Sequence, residues 1–515
     1  MARKWWTLVA VCTGVFMLVV DITIVNIALP SIQRGLHASL ADLQWVIDAY
    51  TLTLAALLLT AGSIADQMGR RRVFAVGLAG FTAGSAICGL AGDATVLAVA
   101  RALQGVGGAI VFATSLALLA EAFTPSERGS AFAIWGAVLG VAAALGPLLG
   151  GAITSGLSWR WIFFVNVPIG LLALIITLAR VGESKTGVNR ELDWGGFISF
   201  SASLAALVFG LIRSQETGWG STEVAVSLAA AALLLVGFLA IETRVAAPML
   251  DLGLLRVPTF DGGLIAAWAL NASIYSLFTF IVLYLQNVLS SSAFEVGLRM
   301  FGMTGAMFVT SMLAGRLTNR VPIRWLIAPG FALIGAGLAL MAGISTGDSW
   351  AHLLPGLIVA GLGVGFVTVP LASTAVGVVE PARAGMASGI NSTFRMAGIA
   401  TGVAALGTIL TSRIESSLAA SLGPRGLGAH ASGLAHAVAG GQLARALAAL
   451  PAPSRSGASA AARSAFVDAL NGILVVGAGI ALAAGVLTLL LIRQRDFVRA
   501  STPAAAPTAS SMATS

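Results

Sequence analysis

Charged residues are scarce in this chain of 515 residues. Only 10% of the residues are Asp, Glu, Lys or Arg, whereas 57% are hydrophobic and the mean hydropathy is +0.94. A water-soluble domain carries about 25% charged residues. This composition therefore excludes a soluble globular protein, because most of the chain has to avoid water.

Cysteine and histidine are also rare. Cys12 and Cys88 both fall within apolar runs, which argues against a structural disulfide. The four histidines lie in connections or at the edge of a run, so histidine is a poor proton carrier here. HExxH and P-loop motifs are missing, which argues against a membrane enzyme and against ATP-driven transport by this chain alone. No metal or cofactor is expected.

Apolar runs of roughly 18–25 residues fill the chain, which is the length that crosses a ~30 Å hydrocarbon core as a helix. We count fourteen such runs, from Trp6–Leu29 to Phe466–Ile492. The fold class is therefore predicted as all-α integral membrane. Most lysines and arginines of the short connections fall on one side, which predicts cytoplasmic N- and C-termini in a multi-pass protein of the cell membrane. The net charge of +8 thus reflects topology, and the lipid bilayer rather than nucleic acid is the expected partner.

An internal repeat divides the chain into two halves. The stretch from Gly62 to Gln67 is echoed by the stretch from Gly315 to Arg320, and Arg128 to Ala131 is echoed by Arg383 to Met386 at nearly the same offset. Duplicated halves of this kind place a solute site between them near the midplane. We expect two six-helix bundles over residues 1–182 and 248–498, two inserted helices over 183–247, an external loop over 411–465 with at most a marginal helix, and a disordered cytoplasmic tail over 499–515.

A few ionisable residues lie inside the apolar runs, where a charge is costly and marks a functional site. Asp21 lies about 22 Å along the first helix from Trp6, and Asp48 and Arg101 are expected at a similar depth. Burial favours the protonated carboxyl group and a nearby arginine favours the carboxylate, so rearranging these groups would bind and release a proton. The alternatives are a structural hydrogen bond for Asp21 or Arg101, and a solvated acid for Asp48.

Five motifs in order resemble the major facilitator superfamily, and in particular its fourteen-helix drug:proton antiporter branch. They are the run around Asp21, Gly62-x-x-x-Asp66-x-x-Gly69-Arg70-Arg71-Arg72, Arg101-x-x-Gln104-Gly105-x-Gly107, Gly146-Pro147-x-x-Gly150-Gly151, and Trp159 to Gly170. Two positions depart from the family pattern. Ala142 stands where the fifth-helix motif has glycine, and Asn319 replaces the acid of the second loop motif.

The resemblance implies roles for these residues. Gly62, Asp66, Gly69 and Arg70 would form a cytoplasmic gate, in which Asp66 meets the N-terminus of a helix from the other half. Gly146, Pro147, Gly150 and Gly151 would loosen and kink the fifth helix, or else serve only its packing. The remaining polar residues of the spans are candidates for the substrate cavity: Asn26, Gln104, Asn271, Tyr275, Asn391 and Arg395.

The expected function is proton-coupled export of bulky hydrophobic compounds, cationic ones included, by alternating access. Protons would be the coupling ion, and the protein is expected to be a monomer. The principal alternative is a dedicated exporter of one self-made metabolite or antibiotic, which shares these motifs. A non-transporting receptor or an enzyme is less consistent with the presence of Asp21 and Asp66.

Overall fold

The computed structural model describes residues 2–38, 40–183, 193–245, 248, 250–318, 320–380, 383–422, 431–440, 443, 447 and 454–497. All regular structure in these residues is helical, as expected in a bilayer, where each backbone N–H and C=O must be satisfied within its own segment. The α-helices are α1 (Arg3–Leu36), α2 (Leu40–Met68), α3 (Arg70–Leu90), α4 (Ala94–Ala122), α5 (Pro125–Gly156), α6 (Trp161–Phe164), α7 (Asn166–Arg180), α8 (Trp194–Thr217), α9 (Thr222–Glu242), α10 (Pro258–Leu270), α11 (Ser276–Leu283), α12 (Ala293–Leu317), α13 (Arg324–Met341), α14 (Leu353–Gly377), α15 (Ala384–Leu422), α16 (Ala431–Ala439) and α17 (Arg455–Leu491).

Several helices begin at a residue whose side chain caps the helix. The carboxylate of Asp93 accepts from the backbone N–H of Val96 at 2.8 Å and begins α4. Ser292 and Glu295 form a reciprocal capping box at the start of α12. Such caps satisfy backbone donors that have no partner within the helix, so they fix where each span enters the bundle.

Within the described residues, fourteen helical segments are long and apolar enough to cross a membrane. The fourteen predicted spans are therefore confirmed. The short α6 and the following α7 together make one span, and so do α10, α11 and two π-helical segments at Asn271–Tyr275 and Tyr284–Val288. The predicted tail over 499–515 lies outside the described residues.

The N-terminal bundle comprises α1–α7 and the C-terminal bundle comprises α10–α17. They meet where α2 crosses α15 and where α5 crosses α12. A Cβ on Gly62 would clash with the carbonyl oxygen of Gly385, and a Cβ on Gly315 would lie 2.5 Å from the carbonyl oxygen of Gly129. Each crossing thus joins one copy of the loop motif to one copy of the second repeated segment. The predicted pair of pseudo-symmetric bundles is confirmed.

The inserted helices α8 and α9 pack against each other, and α8 also contacts α2 and α15 at the seam between the bundles. Large side chains of α9 face outward, with Leu233 73% and Val236 64% exposed. An apolar surface of this kind suits contact with lipid rather than with water.

The predicted loop over 411–465 is wrong in its secondary structure. Helix α15 continues to Leu422, α16 occupies Ala431–Ala439, and α17 begins at Arg455, well before the predicted span. The reason is a buried stripe at four-residue spacing, formed by Leu410, Ile414, Leu418 and Leu422, which packs in the same apolar cluster as α16 and the start of α17. Charged, polar and small residues between these positions, such as Arg413 and Glu415, hide the stripe in the sequence.

Candidate proton-coupling site and gate

The structure brings Asp21 and Arg101 into direct contact inside the N-terminal bundle. The guanidinium Nη1 of Arg101 donates to Oδ2 of Asp21 at 2.5 Å, and the two side chains are 2% and 0% exposed. The amides of Gln104 and Asn166 donate to the other carboxylate oxygen, Oδ1, at 2.9 and 3.0 Å. Three donors from α4 and α7 therefore converge on one acid of α1.

A second set of contacts fixes Arg101 itself. Its Nε donates to the backbone carbonyl of Val46 at 3.1 Å, and its Nη1 also donates to Oε1 of Gln104 at 2.8 Å. Its Cζ lies 4.0 Å from the centre of the Tyr50 ring, which suits a cation–π contact. A buried ion pair is stable only when its remaining donors and acceptors are satisfied in this way.

The chemistry of this cluster follows from its donor and acceptor count. An ionised carboxylate only accepts hydrogen bonds, and here its partners are all donors. A protonated Asp21 would carry a donor of its own and would lose its charge attraction to Arg101. Binding a proton at Asp21 therefore requires the cluster to rearrange.

The sequence also predicts Asp48 and Asn26 near this site. The partners of Asp21 and Arg101 among the described residues do not include Asp48, which is half-buried farther along α2. The side chain of Asn26 lies outside the description. Sequence reasoning missed two members of the site, Ser85 and Asn166. The hydroxyl of Ser85 lies 2.6 Å from the amide nitrogen of Gln104. Asn166 stands in the Trp159–Gly170 motif and was therefore detectable, whereas a lone serine in an apolar span gives no signal.

The predicted gate residues converge at the end of the bundles where both described termini lie. The carboxylate of Asp66 accepts from the backbone N–H groups of Gly385 and Met386 at 2.9 and 2.8 Å, at the start of α15. Arg70 also donates to Asp66, through Nε at 3.0 Å and Nη2 at 2.8 Å. An acid of one bundle thus caps a helix of the other, where the helix dipole favours negative charge.

The glycines of the loop motif are required by this contact. Gly62 lies against the backbone of α15, and a Cβ on Gly385 would lie 2.6 Å from the carbonyl oxygen of Gly62. Gly69 has φ of 99°, a left-handed conformation that favours glycine. Together they let α2 approach α15 closely and turn sharply into α3.

The glycine motif of α5 packs next to Asp21. A Cβ on Gly146 would clash with Oγ1 of Thr23, and one on Gly150 would lie 3.1 Å from the carbonyl oxygen of Ile24. Gly151 is half-buried, and the side chain of Pro147 lies outside the description. Helix α5 continues through the motif from Pro125 to Gly156. The motif therefore lets α5 lie directly on the turn of α1 that carries Asp21.

The predicted cavity residues of the C-terminal bundle lie near one another, since Arg395 is within electrostatic range of Tyr275 and Asn271 packs against Gly398 of the same helix as Arg395. Arg395 donates through Nε to Oδ1 of Asn391 at 3.1 Å, and its Cζ lies 5.7 Å from the ring of Trp135 in the N-terminal bundle. Tyr275 lies with its hydroxyl 4.0 Å from Sδ of Met307. Asn271 donates to the carbonyl of Ala267 at 2.8 Å, within the π-helical segment. Sequence reasoning missed Trp135, because a tryptophan in an apolar run is ordinarily core.

No group of three or more His, Cys, Asp or Glu residues that would hold a metal occurs in the part of the chain that the structure describes. The two bundles, their glycine crossings and a buried ion pair define a membrane transport protein built on a duplicated six-helix unit. A family model described as Major Facilitator Superfamily matches residues 11–403. The chain therefore belongs to the Major Facilitator Superfamily.

Two relatives and one solved structure illustrate this membership. The chain is 39% identical to the puromycin resistance protein pur8 of Streptomyces alboniger, over 81% of this chain and 84% of that protein. It is 37% identical to the multidrug resistance protein Stp of Mycobacterium tuberculosis, over 80% and 77%. The crystal structure of the human organic anion transporter MFSD10 (TETRAN) is 14% identical, with a TM-score of 0.62 over 93% of this chain and 100% of that one. The last likeness shows the shared fold.

Proposed function

We propose that this protein is a proton-coupled antiporter that exports bulky hydrophobic compounds across the cytoplasmic membrane. The observation that carries the proposal is the buried carboxylate of Asp21, held by Arg101, Gln104 and Asn166. A titratable group at this depth is costly and needs a function to explain it. Relatives named for puromycin resistance and multidrug resistance support export, because a transporter protects its cell by moving the toxic compound outward.

Coupling works through competition for one acid. When substrate or a conformational change draws Arg101 away, Asp21 is left without its counter-charge and binds a proton from the outer side. When the pair re-forms, the proton leaves toward the cytoplasm. The inward proton is driven by the pH gradient and by ~2.3 kcal/mol per charge per 100 mV of membrane potential. Protons are the only coupling ion in this scheme, and no cofactor takes part.

The two bundles, over residues 1–182 and 248–498, rock around the substrate to give alternating access, with the inserted pair over 183–247 at the seam. The Asp66 end is cytoplasmic, as the lysine and arginine bias indicates, so both termini are cytoplasmic. The contact of Asp66 with the start of α15 closes that end and must break when the protein opens inward. One chain is sufficient for this cycle, and the protein acts as a monomer.

A second candidate function is export of a single self-made compound. It is favoured by the likeness to a puromycin resistance protein, a name that indicates resistance to one antibiotic. Susceptibility profiles of cells lacking and overexpressing the protein distinguish the two functions. Protection against several unrelated compounds supports multidrug export, and protection against one compound supports the dedicated exporter.

The coupling proposal is tested in cells deprived of their own efflux pumps. Asp21→Asn should abolish protection while the protein still accumulates in the membrane, because asparagine keeps the shape of the side chain but binds no proton. Glu223→Gln is the matched control, since Glu223 is an exposed acid of α9 that pairs with Arg213 outside the cluster. Full protection by Asp21→Asn would end the proposal.

A further inference from the structure

Arg395 is buried in the C-terminal bundle with part of its guanidinium group unused. Its side chain is 4% exposed, and Nε donates to Asn391, but Nη2 has no hydrogen-bond partner among the described residues. No carboxylate of the described residues forms an ion pair with it. The residue lies about 16 Å along α15 from Ala384, close to half the thickness of a ~30 Å hydrocarbon core.

The contrast with Arg101 shows that burial alone does not explain this arrangement. Arg101 is equally buried, yet its charge is balanced by Asp21, and its Nε and Nη1 donate to Val46, Asp21 and Gln104. An arginine charge without a counter-ion at membrane depth is costly. Arg395 therefore occupies a site that an anion would complete.

Further polar atoms without partners lie on the same interface between the bundles. They are Nε1 of Trp135 on α5, Oγ of Ser311 on α12, Oγ1 of Thr368 on α14 and Oγ of Ser388 on α15. A Cβ on Gly136, next to Trp135, would lie 3.3 Å from Thr368 and 3.9 Å from Oγ of Ser311, so these helices face one another here. Ser388 precedes Arg395 by two helical turns on the same side of α15. Three helices, α5, α12 and α14, therefore carry unused polar atoms where they meet, and α15 brings Arg395 beside Trp135.

We infer that Arg395 binds the carboxylate, or an equivalent anionic oxygen, of a bulky hydrophobic acid that the protein exports. This inference rests on the proposed export function and specifies that the exported substrate is negatively charged. The planar guanidinium fork matches the two oxygens of a carboxylate, and the ring of Trp135, 5.7 Å from Cζ, provides an aromatic surface beside it. The positive charge of Arg395 would repel a cationic compound. At this site we therefore expect anionic substrates instead of cationic ones.

The test compares three probes that share one ring system and differ in charge. They are anthracene-9-carboxylate, its neutral methyl ester and 9-(aminomethyl)anthracene. Binding to the purified full-length protein is measured by equilibrium dialysis, without any proton gradient. We expect the carboxylate to bind at least ten-fold more tightly than the ester, and the amine to bind most weakly.

Variants of the arginine assign the preference to its side chain. Arg395→Gln should remove the difference between carboxylate and ester, and Arg395→Lys should keep part of it because the positive charge remains. Arg413→Gln, an exposed arginine farther along the same helix, is the control and should behave as the wild type. Elution of each variant as a single species on size exclusion shows that it is folded. If Arg395→Gln is not folded, the comparison is made with Arg395→Lys.

Three results would overturn the inference. One is a wild-type protein that binds ester and carboxylate equally, and another is an Arg395→Gln variant that keeps the full preference. Competition by chloride at the same strength as the carboxylate would also overturn it, since the site would then hold an inorganic ion. Because binding is measured without a gradient, loss of the preference leaves proton coupling intact, and loss of coupling leaves the preference intact.

Discussion

Two of the buried arginines, one in the middle of each bundle, have opposite surroundings. Arg101 in the N-terminal bundle is 2% exposed and is held by an acid, an amide, a backbone carbonyl and an aromatic ring. Arg395 in the C-terminal bundle is 4% exposed and contacts one amide and the ring of Trp135, with Nη2 unused among the described residues and no acid paired with it. The first is a closed ionic network that changes only when it is broken. The second is an incomplete one that suits a ligand.

The largest effect is expected from removing the partnered arginine. Arg101→Met leaves the carboxylate of Asp21 buried without its counter-charge, which should lower stability by about 3–5 kcal/mol. The apparent melting temperature of the detergent-purified protein should fall accordingly. The double variant Asp21→Asn/Arg101→Met should recover much of the loss, because the stranded charge is gone. A double variant no more stable than the single one would contradict the account.

The same substitution at Arg395 should not lower the stability of the protein. Arg395→Met removes a buried charge that has no counter-ion, so the apparent melting temperature should stay the same or rise. The comparison is direct, because both variants replace a buried arginine by methionine. A fall as large as that of Arg101→Met would show that Arg395 is a structural group, and the contrast between the two sites would be lost.

A smaller effect is expected at the two crossings between the bundles. At the first crossing, Asp66 caps α15, a helix of the other bundle. At the second crossing the nearby acid is Glu127, which lies in the first turn of α5 and accepts from Thr124 just before it. Asn319, at the position of the second acid, lies outside the described residues. Asp66→Asn should therefore weaken closure by about 1 kcal/mol, which is roughly a five-fold larger open population.

Opening at that end is measured by maleimide labelling. Cys12→Ala/Cys88→Ala supplies a background without cysteine, and Ala384→Cys places a buried thiol at the start of α15. Asp66→Asn should raise the labelling rate at this position about five-fold, in line with the open population. Ser130→Cys, at an exposed position of α5, controls for thiol reactivity and should label equally in both proteins. Equal rates at position 384 would count against the latch.

Much of the fold could be predicted because the bilayer imposes simple rules on sequence. Long apolar runs located the fourteen spans, and two repeated motifs located the duplicated bundles. The helices over 411–465 could not be predicted in the same way. Their stripe, from Leu410 to Leu422, is buried against α16 and α17 instead of lipid, so it carries no long apolar run.

The candidate site was predictable where charge marked it. Asp21 and Arg101 stood out because charged residues are rare in spans, and Asp66 stood out because it belongs to the loop motif. The structure brings Asp21 to Arg101 and Asp66 to the start of α15. Ser85 and Trp135 could not be recognised, since a serine or a tryptophan in an apolar helix is ordinary. Their importance comes from which helix lies opposite, and that depends on the tertiary packing.

Proton coupling through Asp21 is the central claim, and vesicles test it most directly. The purified protein is reconstituted, and uptake of a compound to which it confers resistance is measured with and without an imposed acid interior. We predict that the compound accumulates against its concentration gradient only while the acid gradient persists. Nigericin, which collapses the pH gradient, should abolish this accumulation, and the Asp21→Asn variant should show no accumulation. Accumulation that is the same with and without the gradient would contradict the account.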